Sequence, residues 1–245
     1  MDNIDVDYAR NKGITVNNTP AASSQSVAEL VMAQMFSISR FTHLANKEMP
    51  AIGDEEFKVL KKNYGNGVEL SGKTLGIIGF GRIGKALSNY ALGCGMKVIA
   101  NDKFEVPSKI TMHFHSGQSF DVKIEVGSME DVLKKSDYIS IHTPKQEDGS
   151  AVIKAAEFAK MKKGVRIINA ARGGVIDEDD LLQAIESGQV SYCALDVFEN
   201  EPNPRKDLLT NSRIATTPHI GAATLEAQDR IGTEMADKVK EALLG

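Results

Sequence analysis

The run Leu75-Gly76-Ile77-Ile78 leads directly into Gly79-Phe80-Gly81-Arg82-Ile83-Gly84, and an amphipathic stretch follows to about Leu92. A buried strand, a three-glycine turn and a helix in immediate succession constrain this chain more than any other feature. The first glycine allows the tight turn. The second lets the backbone approach a pyrophosphate, and the third lets helix and strand pack closely. The start of the helix then offers unpaired N–H groups and a positive dipole end to the phosphates. Glycines also cluster in ordinary turns, so the flanking strand and helix carry the argument. Asp102 ends the next strand, where a carboxylate accepts hydrogen bonds from adenosine ribose hydroxyls and repels a 2′-phosphate. The loop is therefore read as a dinucleotide site for NAD rather than NADP, with the neighbouring Lys103 weakening that preference a little.

The rest of the chain alternates short β-rich runs with helical stretches. Strands are expected at Gly13 to Val16, Thr74 to Ile78, Lys97 to Ala100, Asp137 to Ile141, Val165 to Ile168, Tyr192 to Leu195 and Arg213 to Thr216. A long helix is expected from Ser26 to about Met49, opened by a capping box in Ser26-Val27-Ala28-Glu29. Val27, Leu30, Val31, Met35 and Ile38 recur along it at helical spacing, so Met32, Met35 and Phe36 are read as packing residues. A short helix capped at Ser128 and others over Asp177 to Ser187 and Thr224 to Leu244 complete the pattern. Between Phe104 and Glu125 no clean period exists, although Thr111 to His115 alternates like an edge strand. Such alternation implies an α/β fold, a Rossmann-type doubly wound parallel sheet covered on both faces.

Composition removes several classes. The chain has 245 residues, of which 42% are hydrophobic and 25% charged, as in ordinary globular proteins. A net charge of -4 argues against a nucleic-acid partner. Cys94 and Cys193 form no metal spacing and are read as reduced core thiols, so no metal is expected. The N-terminus lacks a signal pattern and no apolar run reaches a membrane span, which points to a soluble, cytoplasmic protein.

Three polar residues in the later half each follow a strand. Arg172 lies in Asn169-Ala170-Ala171-Arg172-Gly173-Gly174, Glu201 in Glu199-Asn200-Glu201-Pro202, and His219 in Thr217-Pro218-His219-Ile220-Gly221. Asp196 ends its strand in the same manner. Singly, each has a plain explanation: a surface ion pair, a loop acid, a residue at a helix entry. Together they could converge on one crevice at the carboxyl ends of the strands, where ligands sit in such sheets.

With these motifs in order, the chain resembles the D-isomer-specific 2-hydroxyacid dehydrogenases, and within them most closely the D-3-phosphoglycerate dehydrogenases of serine synthesis. The resemblance starts at Asp2-Asn3-Ile4-Asp5, Gly13-Ile14-Thr15-Val16 and Asn18-Thr19-Pro20. It runs through Ser26 to Leu30, Gly72 to Gly84 and His142-Thr143-Pro144, then through the Arg172 motif, Ala194 to Phe198 and the His219 motif. It implies hydride transfer between nicotinamide and C2 of a 2-hydroxy or 2-oxo acid. His219 would serve as the general acid-base, Glu201 as its partner, and Arg172 as the group that grips the substrate carboxylate and C2 oxygen. Asp196 would hydrogen-bond the nicotinamide carboxamide. Arg82 and Ile83 would meet the pyrophosphate, Thr143 and Pro144 the adenosine end, and Ala170, Ala171, Gly221 and Ala222 would line the cofactor by backbone.

The resemblance also sets expectations about organisation and partners. Residues 1–22 are expected to be a remnant or linker of a substrate domain, 23–222 the NAD-binding domain, and 223–245 a helix returning to that substrate domain. Relatives carry a segment ahead of the point matched by Asp2, so this chain is expected to bind NAD yet turn over substrate poorly. No regulatory domain is expected after Gly245, and Ile231, Met235, Val239 and Leu243 are expected to be unusually exposed. A homodimer through the helix from Ser26 is expected. The substrate expected first is 3-phosphoglycerate. Glyoxylate or hydroxypyruvate reduction, or a non-catalytic NAD-binding role of the corepressor type, are the alternatives. A formate dehydrogenase fits less well, because that branch has Gln where Glu201 stands.

Overall fold

A computed structural model describes residues 4–146 and 148–244; the matched residues Asp2 and Asn3 lie outside them. Four helices lead: α1 (Val6–Asn11), α2 (Ser24–Arg40), α3 (Thr42–Ile52) and α4 (Phe57–Asn63). The first strand, β1 (Thr74–Ile78), is followed by α5 (Arg82–Gly93), β2 (Lys97–Asn101), β3 (Lys109–His113), β4 (Ser119–Lys123) and β5 (Glu125–Val126). Next come α6 (Met129–Lys135), β6 (Tyr138–Ile141), α7 (Ala155–Phe158), β7 (Val165–Asn169) and α8 (Glu178–Glu186). The chain closes with β8 (Val190–Leu195), α9 (Lys206–Thr210), β9 (Ile214–Thr216) and α10 (Leu225–Leu244).

Seven strands form one sheet in the order β5-β2-β1-β6-β7-β8-β9, and every adjacent pair is parallel. Chain order reverses between β1 and β6, so the loops leaving these two strands diverge and open a crevice at their carboxyl ends. The period-2 alternation of each strand sorts its residues between two apolar layers. Leu75, Ile77, Val98, Ile168, Ala194 and Ala215 face the layer of α2 and α5. Ile78, Ile99, Ile139, Ile167, Cys193 and Ile214 face the layer of α6, α7 and α8. Ala194 and Ala215 leave room for α2 to lie close against the sheet. Full burial of one Leu or Ile contributes about 1.5–3 kcal/mol, so these layers hold the doubly wound arrangement together.

Several expectations are corrected. The long first helix is broken at Phe41, whose φ of 57° ends α2 and starts α3. Ser26 does not cap it. It lies buried inside α2, where its hydroxyl meets Thr224 Oγ1 at 2.8 Å, and Ser23 takes the N-cap position without a side-chain bond. A tertiary partner outcompetes the local one. Residues 13–16 form no strand and instead follow α1, which carries an Asp5 cap. The irregular stretch after Phe104 is a hairpin, β3 paired antiparallel with β4 as a sheet of its own rather than an edge of the main one. Ile110 and Ile124 anchor it on the α5 layer.

Cys193 is buried and Cys94 half-buried, and both are free. Along α10, Val239 and Leu243 are exposed while Ile231 and Met235 are half-buried. No helix among the described residues is long and apolar enough to cross a membrane.

Candidate functional site

The glycine loop is shaped by three distinct demands. Gly79 has φ 92°, and a Cβ there would stand 2.6 Å from the His142 carbonyl oxygen. A Cβ on Gly84 would stand 2.7 Å from the Gly79 carbonyl oxygen and 3.0 Å from Ile77 Cγ2. At Gly81, by contrast, a Cβ would meet nothing within 4 Å. Two glycines are thus required by the fold itself, while the third keeps open the space in front of the α5 N-terminus, which begins at Arg82. That open cradle fits a pyrophosphate, as the NAD reading requires.

Asp102 follows β2 beside the loop. Its Oδ2 accepts the Phe80 N–H at 2.6 Å and its Oδ1 accepts the Phe104 N–H at 3.0 Å. The carboxylate therefore fastens the loop's backbone, with lone pairs left over for a ribose.

Beyond the loop, a cleft of about 1130 Å³ runs along the carboxyl ends of β6 to β9. Its walls include Ile83, Thr143, Pro144, Ala170, Ala171, Arg172, Asp196, Glu201, His219, Gly221 and Ala222. These are most of the residues expected from sequence, brought together from four strand ends. Gly79, Gly81, Arg82, Gly84 and Asp102 are grouped at the ends of β1 and β2, outside this lining. Lys145 and Glu199, which sequence reasoning missed, also line the cleft. Lys145 follows the His142-Thr143-Pro144 run directly, so its place at a strand end was the available signal.

Within the cleft, His219 Nδ1 lies 2.7 Å from Glu201 Oε2. The other Glu201 oxygen accepts the Phe198 N–H at 2.9 Å. Burial opposes ionisation of Glu201. The bonds from His219 and Phe198, with the charges of His219 and Arg172, outweigh it and hold the carboxyl below the usual range. An ionised carboxylate only accepts, so Nδ1 carries the hydrogen and Nε2 is left to exchange a proton with a ligand. The His219 side chain is 49% exposed, open enough to be reached. Arg172 extends from the turn after β7, with Nη1 donating to the Ala171 carbonyl at 2.7 Å. The turn is held by Asn169, whose side chain bonds both Arg172 O and Ala171 N. Gly173 passes so close to Phe198 that a Cβ would overlap its carbonyl, which locks the Arg172 turn against the Glu201 turn.

His219 itself has φ 53°, a left-handed conformation that costs a non-glycine residue about 1–3 kcal/mol. Asp196, buried at 1% exposure, holds it there. Its Oδ1 accepts the Thr217 hydroxyl at 2.6 Å and the Ile220 N–H at 2.9 Å, and its Oδ2 accepts the Gly221 N–H at 2.8 Å. Asp196 thus braces the His219 turn in addition to facing the cleft. His142 lines the cleft with its Nδ1 buried and without a partner among the described residues, and burial holds its imidazole down at about 4. It is a neutral ring at physiological pH.

A family model described as the D-isomer specific 2-hydroxyacid dehydrogenase NAD binding domain matches residues 32–221. The chain belongs to this family. Its cofactor is NAD, and by that membership it is an oxidoreductase. It is similar to a hydroxypyruvate reductase of Thermotoga maritima, 44% identical over 98% of this chain and 73% of that protein. It is also similar to a D-3-phosphoglycerate dehydrogenase of Mycobacterium leprae, 38% identical over the whole chain but only 44% of the relative's length. Among solved structures, a glyoxylate reductase from Paecilomyes thermophila superposes with a TM-score of 0.85 at 32% identity, covering 99% of this chain and 69% of that one.

Proposed function

We propose that the cleft reduces a short 2-oxo acid of the hydroxypyruvate or glyoxylate kind to its D-2-hydroxy acid. The observation that carries this reading is the 2.7 Å His219–Glu201 pair in one cleft with Arg172. When bound, NADH supplies the hydride that adds to C2. Arg172 draws the carboxylate and C2 oxygen of the substrate together, orienting the carbon and stabilising negative charge on the oxygen. His219 Nε2 gives its proton to that oxygen, and Glu201 steadies the imidazolium that does so. In the oxidative direction the same nitrogen takes the hydroxyl proton. The loop from Gly79 to Gly84, with Arg82 and Ile83, cradles the pyrophosphate, and Asp102 takes the ribose. Thr143 and Pro144 flank the adenosine end, and Ala170, Ala171, Gly221 and Ala222 contribute backbone. Asp196 serves the carboxamide as well as the His219 turn.

The short-acid preference rests on the likeness to the Thermotoga and Paecilomyes proteins. A second reading, oxidation of 3-phosphoglycerate, is supported by relatives of that name at 37–40% identity, of which this chain spans less than half. Comparing kcat/KM for hydroxypyruvate, glyoxylate and 3-phosphoglycerate separates the two. NAD-induced stabilisation with no turnover of any of them would favour a sensing role of the corepressor type. We read residues 1–22 and 223–245 as pieces of a substrate domain, with 23–222 as the cofactor domain. The proposed homodimer would use Phe36, Met49, Ile52 and Phe57, exposed apolar residues on α2, α3 and α4, rather than the buried face of α2. Sedimentation at micromolar concentration tests it.

A further inference from the structure

Gln34 stands out on α2. It lies in the helix's apolar face beside Val31, Met35 and Ile38, at 4% exposure, where a polar side chain needs a reason. Its Nε2 donates to Thr217 Oγ1 at 3.0 Å, and its own Oε1 is buried with no partner among the described residues. The direction of this bond is forced. Asp196 Oδ1 already accepts a backbone N–H, so Thr217 must turn its hydroxyl hydrogen toward that oxygen, 2.6 Å away. Only lone pairs of Thr217 then face α2, and only a donor can meet them.

We propose that Gln34 is a positioning residue for proton transfer. Through Thr217 and Asp196 it fixes the strained turn that carries His219, so a helix packed on one face of the sheet sets the imidazole's orientation. The inference rests on the reading of His219 as the proton donor. It extends that reading to a residue that lies outside the cleft lining.

The test replaces Gln34 with a group of nearly the same shape whose donor can be switched. In Gln34→Glu, the protonated carboxyl can still donate to Thr217, whereas the ionised one cannot and sets a second carboxylate against Asp196. Burial and that neighbour both favour the protonated form, so the switch falls in an accessible range above the usual carboxylate pKa. Two readouts are followed from acid to alkaline pH, each as a ratio to wild type. One is hydrogen exchange of the Ile220 and Gly221 amides, and the other is kcat for hydroxypyruvate reduction. The expected result is near-parity in acid. Exchange should accelerate and kcat fall by about tenfold once the introduced carboxyl ionises, with recovery on re-acidification. A buried carboxylate beside Asp196 also disrupts reversibly when it ionises, so the donor's own share is read from Gln34→Met, which adds no charge. Amide exchange that matches wild type across the whole range would overturn the proposal. If exchange switches but the wild-type protein shows no turnover, the relay stands and the His219 reading falls. Should Gln34→Glu unfold in alkali, Gln34→Met keeps the shape without the donor. It should speed exchange at these two amides several-fold at every pH, and exchange unchanged from wild type would again refute the relay.

Discussion

Alanine placed at each of two loop glycines should separate what the fold needs from what the cofactor needs. At Gly79 the residue must hold φ 92°, and the new methyl would lie 2.6 Å from the His142 carbonyl oxygen and 2.9 Å from Thr143 Cγ2. The backbone conformation costs about 1–3 kcal/mol. Forcing a methyl against a backbone carbonyl in a packed layer adds about 1–3 kcal/mol more. Gly79→Ala should therefore lose about 2–6 kcal/mol, or about 4–24 °C in Tm for a domain of this size. Gly81 has φ -77° and ψ -155° and open space around its Cβ position. Losing glycine at this N-cap costs about 1 kcal/mol or less, and the stiffer unfolded chain offsets part of that. Its Tm should stay within about 3 °C of wild type. The ligand response should invert the order of damage. NAD at about 100 times its Kd stabilises a binder by about 2.7 kcal/mol, worth about 5–10 °C here. Gly81→Ala should lose that increment, because its methyl occupies the space left for the pyrophosphate. Differential scanning fluorimetry with and without NAD reads both quantities. A Gly81→Ala protein that keeps the full NAD shift would refute the assignment of that space to the cofactor.

Other outcomes follow from the same geometry. Gly173→Ala should lower kcat by at least tenfold with a smaller effect on NAD affinity, since the Arg172 and Glu201 turns would have to separate; stopped-flow and titration calorimetry divide the two effects. Arg172→Lys should raise KM for the oxo acid by tenfold or more, because an ammonium cannot give the planar two-point grip, and steady-state kinetics check this. His142 makes stability fall in acid. Its folded pKa of about 4 lies below the unfolded value near 6.5, so the unfolded chain takes the proton first and stability drops as pH falls between them. His142 is half-buried at the cleft wall, with its Nδ1 inward and the rest of the ring reached by solvent that screens the charge, so the loss should be about 2 kcal/mol, below the full value for that shift. Urea denaturation at a series of pH values should show this slope in wild type and a shallower one in His142→Asn.

Features governed by local chemistry are legible in the sequence. The strand-loop-helix from Leu75 onward, the capped helix at Ser128 and the buried strands around Val165 and Tyr192 each carry their own signal in a short window. The same holds for the cleft, because Arg172, Glu201 and His219 each follow a strand and parallel strands bring their carboxyl ends together. Features that sequence does not reveal depend on partners distant along the chain. Ser26 gives up a capping role for a bond to Thr224, and Phe41 breaks the long helix where its ring packs on Tyr192 at 5.2 Å. The β3–β4 hairpin lacks a clean alternation because most of its two strands is exposed, with only Ile110 buried. The bracing role of Asp196 is invisible in sequence because its bonds to the Thr217–Gly221 turn appear only when β8 and β9 lie side by side.

The central claim is that His219, oriented by Glu201, moves the proton in an NADH-dependent reduction of a 2-oxo acid. It is tested most directly by following NADH oxidation with hydroxypyruvate for the wild-type chain and for His219→Ala. Measurable turnover is expected in the wild type, with a fall of about 10²–10⁴-fold in kcat for the variant and NADH affinity largely kept. Turnover that survives the substitution undiminished would contradict the claim.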